Sequence, residues 1–153
     1  LQETFGLRDE GSFKAAAGLH GGIGGRQDVC GALLGASLML GLMFGSSVEE
    51  SGKPKTPPSP GELDLPTQLV GELYKWFKKE FGSVKCRSIQ VRHTKEINAQ
   101  PDAAGLTDME RMQRMFKKCD QVSGKTAAHT VEMIWDEIKP GKKKTARKQA
   151  GDH

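Results

Sequence analysis

The sequence predicts a mainly α protein: a compact helical bundle around one central glycine-rich apolar helix, with long loops and a disordered basic C-terminal tail. Three observations lead there. Apolar residues recur at three- and four-residue intervals in two stretches, 65–89 and 109–138. A 17-residue run without charge, Val29 to Gly45, precedes both, and no window sustains the alternation of a half-buried strand. The 153 residues, 36% hydrophobic and 27% charged, suit one domain over residues 1–138 and argue against a multidomain enzyme. Aromatic residues make up only 6%, and 11 of the 19 glycines fall within residues 1–47, so the core is expected to rely on small and aliphatic side chains.

Taken in order, Gly21-Gly22-Ile23-Gly24-Gly25-Arg26-Gln27 reads as a flexible loop. Asp28 is then the expected N-cap of a helix from Val29 to about Phe44, with Gly45 closing it. Residues 46–62, rich in Ser, Pro, Gly and Lys, read as a linker. Pro66 suits a first helical turn, and Leu69, Val70, Leu73, Trp76, Phe77 and Phe81 form one apolar face before Gly82 interrupts it. A short second helix is expected near Cys86, followed by loop from Arg92 to Gly105. Thr107-Asp108-Met109-Glu110 is a capping box, which satisfies free backbone donors at a helix start. Met109, Met112, Phe116 and Cys119 then share a face, and Ala127, Val131, Ile134, Trp135 and Ile138 repeat the period until Pro140.

The charge distribution excludes a nucleic-acid-binding body. Of 23 Lys and Arg, six lie in residues 139–153, leaving 17 bases against 18 acids in residues 1–138. A basic tail without apolar periodicity reads as a solvated end, so no specific nucleic-acid partner is expected. The 17-residue apolar run falls short of the roughly 20 residues that span a bilayer, and every other helix has a polar side, so a buried central helix is the simpler reading. Its Gly31/Gly35 and Gly41/Gly45 pairs are compatible with a homodimer as well as with close packing inside one chain. With neither a secretion signal nor an even set of cysteines, the expected location is the cytoplasm.

Nucleotide and hydrolase motifs fail on inspection. Counted from Gly22 and Gly24, the last position of a G-x-G-x-x-G fingerprint is Gln27, and the first glycine of a Walker loop ending in Gly124-Lys125-Thr126 is replaced by Cys119. The four histidines are scattered, His20 alone adjoining the glycine loop near Cys30. Thiol chemistry remains. Cys30 is expected as the second residue of its helix, where the dipole favours a thiolate, although Asp28 opposes it. Cys86 sits between Lys85 and Arg87, and Cys119 follows Lys117 and Lys118, so positive charge is expected to lower both thiols. The competing reading is that all three simply pack as small buried hydrophobes in a structural or interaction module.

The run Gly18-Leu19-His20-Gly21-Gly22-Ile23-Gly24, then Cys30-Gly31-Ala32-Leu33-Leu34-Gly35, resembles the C-GCAxxG-C-C family of redox-active proteins. Gly82-Ser83-Val84-Lys85-Cys86-Arg87 is similar to that family's G-S-x-x-C-[RK] segment, and Cys119 with Val122, Ala127 and Ala128 to its last cysteine block. Members carry four cysteines, the first upstream of the point where this chain begins. The resemblance, together with the start at Leu1, therefore implies an N-terminally truncated member. Leu19 stands where an aromatic is usual and Gln27 where a glycine is common. The resemblance implies a helical domain that gathers Cys30, Cys86 and Cys119 as redox thiols serving an unknown partner, or as soft ligands for a metal or an iron–sulfur cluster. Gly22, Gly24 and Gly31 are the candidate positions for close approach of a cofactor at the helix start. At least two of the sulfurs are expected near one another there.

Overall fold

A computed structural model describes residues 1–7, 9–46 and 63–140. Among them five helices follow in order: α1 (Glu10–Ala16), α2 (Gly31–Phe44), α3 (Leu65–Phe81), α4 (Cys86–Asn98) and α5 (Asp108–Ile138). One isolated antiparallel bridge joins Val29 to Lys85. The fold is the mainly α bundle around the glycine-rich helix that the sequence predicts. Most of the linker read over residues 46–62, and the basic tail after Pro140, lie outside the described residues.

The centre is α2, which is apolar on every side and therefore has no face suited to water. It buries Leu33, Ala36, Met39 and Leu40 between α3 and α5. Against it α3 sets Leu69, Leu73, Phe77 and Phe81, the face expected from its periodicity. Asp64 caps α3 by accepting from the Thr67 amide at 3.1 Å, and Gly82 ends it in the left-handed conformation at φ 68°, which glycine adopts without penalty. Trp76 stacks on His129 of α5 at 4.0 Å between centroids, tying the third side together.

At the start of α5 the capping box forms as expected, with Thr107 and Glu110 each bonding the other's backbone. The helix then runs unbroken through Gly124. Its buried residues are Val122, Thr126, Thr130 and Ile134. The two threonine hydroxyls donate to the carbonyls of Val122 and Thr126 at 2.7 Å, so they enter the core with their donors satisfied. Met109, Met112 and Phe116 do share a face, but that face is more than half exposed rather than core. Trp135 and Ile138 are likewise exposed.

The largest departure from the expected elements lies between Arg92 and Gly105. Instead of loop, α4 continues to Asn98, burying Cys86, Ile89, His93 and Ile97 at helical spacing. A histidine in the middle of that face hides the period from a reading of apolar residues alone. Arg111 donates to Asn98 at 2.6 Å and to the Ala103 carbonyl at 2.6 Å, and Arg114 pairs with Asp102, so charged bonds hold the turn from α4 into α5. The short α1 is likewise absent from the periodicity, because it buries no residue and depends on the Asp9 cap.

Neither ring nitrogen of the buried His93 makes a hydrogen bond; Nδ1 faces Glu96 at 3.6 Å, too far for one. Burial holds its pKa below the ordinary 6.5, the Glu96 charge opposing that and Lys118 and Arg92 assisting it. Because the unfolded chain takes up this proton before the folded one does, stability falls as pH drops from 6.5 towards the folded value, and above 6.5 the group is a neutral buried imidazole without a partner. His93→Leu is therefore expected to raise stability at pH 7 by about 1 kcal/mol, since it removes an unsatisfied buried group. The same variant should flatten the pH dependence of urea midpoints below 6.5. A less stable variant at pH 7 would show that the imidazole contributes a contact worth more than its desolvation.

Candidate functional site

Two helix starts are brought together by backbone pairing. The chain before α2 and the chain before α4 run antiparallel through the Val29–Lys85 bridge, with the Cys30 amide donating to the Val84 carbonyl at 2.8 Å and the Cys86 amide to the Asp28 carbonyl at 2.6 Å. Val29 and Lys85 face one side of this pair. Cys30 and Cys86, each one residue further on, leave from the other side, because side chains alternate along extended backbone. The bridge also corrects two expectations. It pulls Val29 out of the helix, so α2 starts at Gly31 and Cys30 is its N-cap, in place of Asp28. Cys30 makes no side-chain capping bond, leaving the first-turn amides without a side-chain acceptor.

The glycine loop fits beneath this pair. Gly21, Gly22, Ile23, Gly24, Gly25 and Gln27 all take positive φ, a left-handed coil closed by bonds such as Gln27 to Gly21 at 2.9 Å and Asp28 to Gly22 at 3.1 Å. Gln27 and Asp28 then present their carbonyls to the first two amides of α4, Arg87 and Cys86. Gly22 is where the loop meets Cys86: a Cβ there would lie 2.8 Å from the Cys86 Cβ and 2.8 Å from the Asp28 nitrogen. A Cβ on Gly31 would meet the Leu19 carbonyl at 3.1 Å, whereas Gly24 meets nothing within 4 Å. Gly22 and Gly31 line the cavity described next, and Gly24 does not.

Cys119 approaches from α5, and all three thiols line a single cavity of about 460 Å³, together with His20, Phe116 and Asp120. All three are free. Cys86 is buried, while Cys30 and Cys119 are partly accessible. Burial pushes the Cys86 thiol above the ordinary 9.0, and the Cys30 sulfur adds to the rise. Cys119 is raised by burial first, then by Cys86, Cys30 and Asp120. The lowering expected from Lys85, Arg87, Lys117 and Lys118 is not what the fold delivers. The neighbouring lysines and arginines do not govern these sulfurs; desolvation and the other thiols do.

Three cysteines from distant segments therefore line one pocket, in which burial and the neighbouring sulfurs raise the Cys86 and Cys119 thiols. Among the described residues no group of three or more His, Cys, Asp or Glu side chains is placed to hold a metal ion. None of the described helices is long and apolar enough to cross a membrane.

Fold and site together define a helical domain that collects cysteines into a common cavity. The model of a family described as "Putative redox-active protein (C_GCAxxG_C_C)" matches residues 1–133, and the chain belongs to that family. No curated protein and no solved structure matches it.

Proposed function

We propose that the protein is a dithiol–disulfide electron carrier, in which two of Cys30, Cys86 and Cys119 pass reversibly between thiols and a disulfide. The single observation that carries this reading is the shared cavity: 56 and 33 positions separate the cysteines along the chain, yet all three line one pocket. In the oxidising direction two S–H bonds break and one S–S bond forms, and two electrons and two protons leave to an acceptor. A thiolate-held zinc or iron–sulfur centre would draw on the same sulfurs. The dithiol reading is better supported, because the described side chains offer no arrangement of three metal ligands. The packing-cysteine reading predicts thiols that never cross-link.

The test is to treat the reduced protein with a neutral small disulfide, hydroxyethyl disulfide, and count alkylatable thiols with the intact mass. One reactive thiol and the loss of two hydrogens are expected, with full recovery on reduction. Three thiols surviving prolonged treatment would overturn the proposal and leave cysteines that only pack. Single Cys→Ser variants then identify the pair, since the two that matter lose cross-linking and the third keeps it.

A further inference from the structure

The three thiols share a cavity but differ in their settings. Cys30 is the N-cap of α2 and partly accessible, whereas Cys86 opens α4 and is buried, at 8% exposure. Cys119 is partly accessible from within the unbroken α5. A molecule entering the cavity therefore meets the sulfurs of Cys30 and Cys119 before that of Cys86.

Backbone donors separate the two helix starts. At α4 the glycine loop answers the first amides, the Asp28 carbonyl accepting from Cys86 at 2.6 Å and the Gln27 carbonyl from Arg87 at 2.9 Å. At α2 no such answer is in place. The Leu34 amide donates to the Cys30 carbonyl at 3.1 Å, and ahead of it, among the described residues, neither a side-chain cap nor a first-turn acid serves the amides of Gly31, Ala32 and Leu33. The neutral Cys30 thiol makes no bond to them, but a negative sulfur at this N-cap stands at the positive end of a 14-residue helix. Asp28, the acid nearest in sequence, is exposed, so solvent screens its charge. Cys119 has no free donors of this kind, because amides in the middle of a helix are bonded within their own ladder. Burial and the other sulfurs raise its thiol and that of Cys86, which keeps both mainly protonated at neutral pH.

We infer that Cys30 is the attacking thiol of the pair and Cys86 the resolving one, and that the oxidant the cavity takes is a molecule carrying a disulfide. The inference rests on the dithiol reading and assigns roles within it. The Cys30 thiolate attacks one sulfur of the incoming disulfide; the external S–S bond breaks, a mixed disulfide forms on Cys30, and the departing thiolate takes up the proton that Cys30 released. Cys86 is placed for the second step. The Val29–Lys85 bridge sets it and Cys30 on the same side of the paired segments, as diagonal neighbours. Its sulfur attacks that of Cys30, the mixed disulfide breaks, the Cys30–Cys86 bond forms, and the second external thiol leaves with the Cys86 proton. The external disulfide is thereby reduced to two thiols and the protein pair oxidised. Burial suits this order, since Cys86 is withheld from the external molecule and reacts with a sulfur already inside the cavity.

The test follows the adduct of hydroxyethyl disulfide on the reduced full chain at pH 7. Acid quenching of the parent at early times, with peptide mapping, should place the transient mixed disulfide on Cys30 and the final disulfide between Cys30 and Cys86. Cys86→Ser and Cys86→Ala should each hold the adduct on Cys30, and the early-quenched parent gives the same assignment without altering a buried residue. Cys30→Ser keeps a good capping residue at the start of α2, yet its thiols should disappear at least about fivefold more slowly than those of the parent. A first adduct mapped to Cys119, or a parental rate in Cys30→Ser, would overturn the inference. A final disulfide between Cys86 and Cys119 in the parent would overturn it while leaving the dithiol reading intact, whereas a parent that keeps three free thiols throughout would sink both.

Discussion

Gly22→Ala is expected to lower stability by about 2–4 kcal/mol and to change the thiol site at the same time. Two effects add at this position. The residue sits at φ 74°, where a side chain is strained, and its new Cβ would press on the Cys86 Cβ and the Asp28 nitrogen, both at 2.8 Å. Neither neighbour moves freely. The Asp28 carbonyl accepts from the Cys86 amide, so displacing one loosens the bridge that orients Cys30 and Cys86. Gly24→Ala is the control. It shares the left-handed backbone at φ 57° but has open space around it, so only the conformational part remains, about 1–2 kcal/mol. Urea denaturation of both variants, together with the rate of disulfide formation, separates strain from contact. Equal losses in the two, with unchanged oxidation, would mean that Gly22 serves the turn and not the thiols.

That contrast marks what the sequence carries. Positions 18–31 announce a glycine loop leading into an apolar helix, and the repeated glycines are legible because few other residues enter left-handed backbone. Gln27 illustrates the limit. A glycine is common there in the family, and the residue does take φ 60°; its side chain is engaged by a bond to Gln90 that lies 63 positions away in the chain. Nothing near Gln27 foretells that partner. The same holds for the cysteines. Convergence of Cys30, Cys86 and Cys119 is implied by resemblance to a family, while the Val29–Lys85 bridge that joins the Cys30 and Cys86 segments leaves no periodic trace, being a single pair of residues. Local charge misled on the thiol pKa values, because Lys85, Arg87, Lys117 and Lys118 adjoin the cysteines in sequence, whereas in the fold desolvation and the other sulfurs set the direction. The reading of the second half of α4, from Arg92 on, as loop fails for a related reason: its buried face includes His93, and a polar residue at a core position breaks the pattern on which recognition depends.

Phe77→Ala is expected to cost about 3–5 kcal/mol while leaving thiol oxidation of the folded protein unchanged. The ring is wholly buried, packs on Phe81 at 4.6 Å between centroids and meets Trp76 edge-on at 6.4 Å. Removing it empties the contact between α3 and α2, and the packed aromatic neighbours cannot collapse into the space without losing their own geometry. Phe77→Leu, which keeps most of the volume, should cost less. The cavity with the thiols lies along other faces of α2, towards α4 and α5, and Phe77 takes no part in its lining. Against a total folding free energy of roughly 5–15 kcal/mol, the alanine variant spans a large part of the margin, so oxidation must be measured well below its melting temperature. Under those conditions the same pair of cysteines should cross-link at the parent rate. A rate that instead falls in step with stability across the leucine and alanine variants would show that α2 transmits core packing to the thiols, and that the two sides of this helix work as one unit.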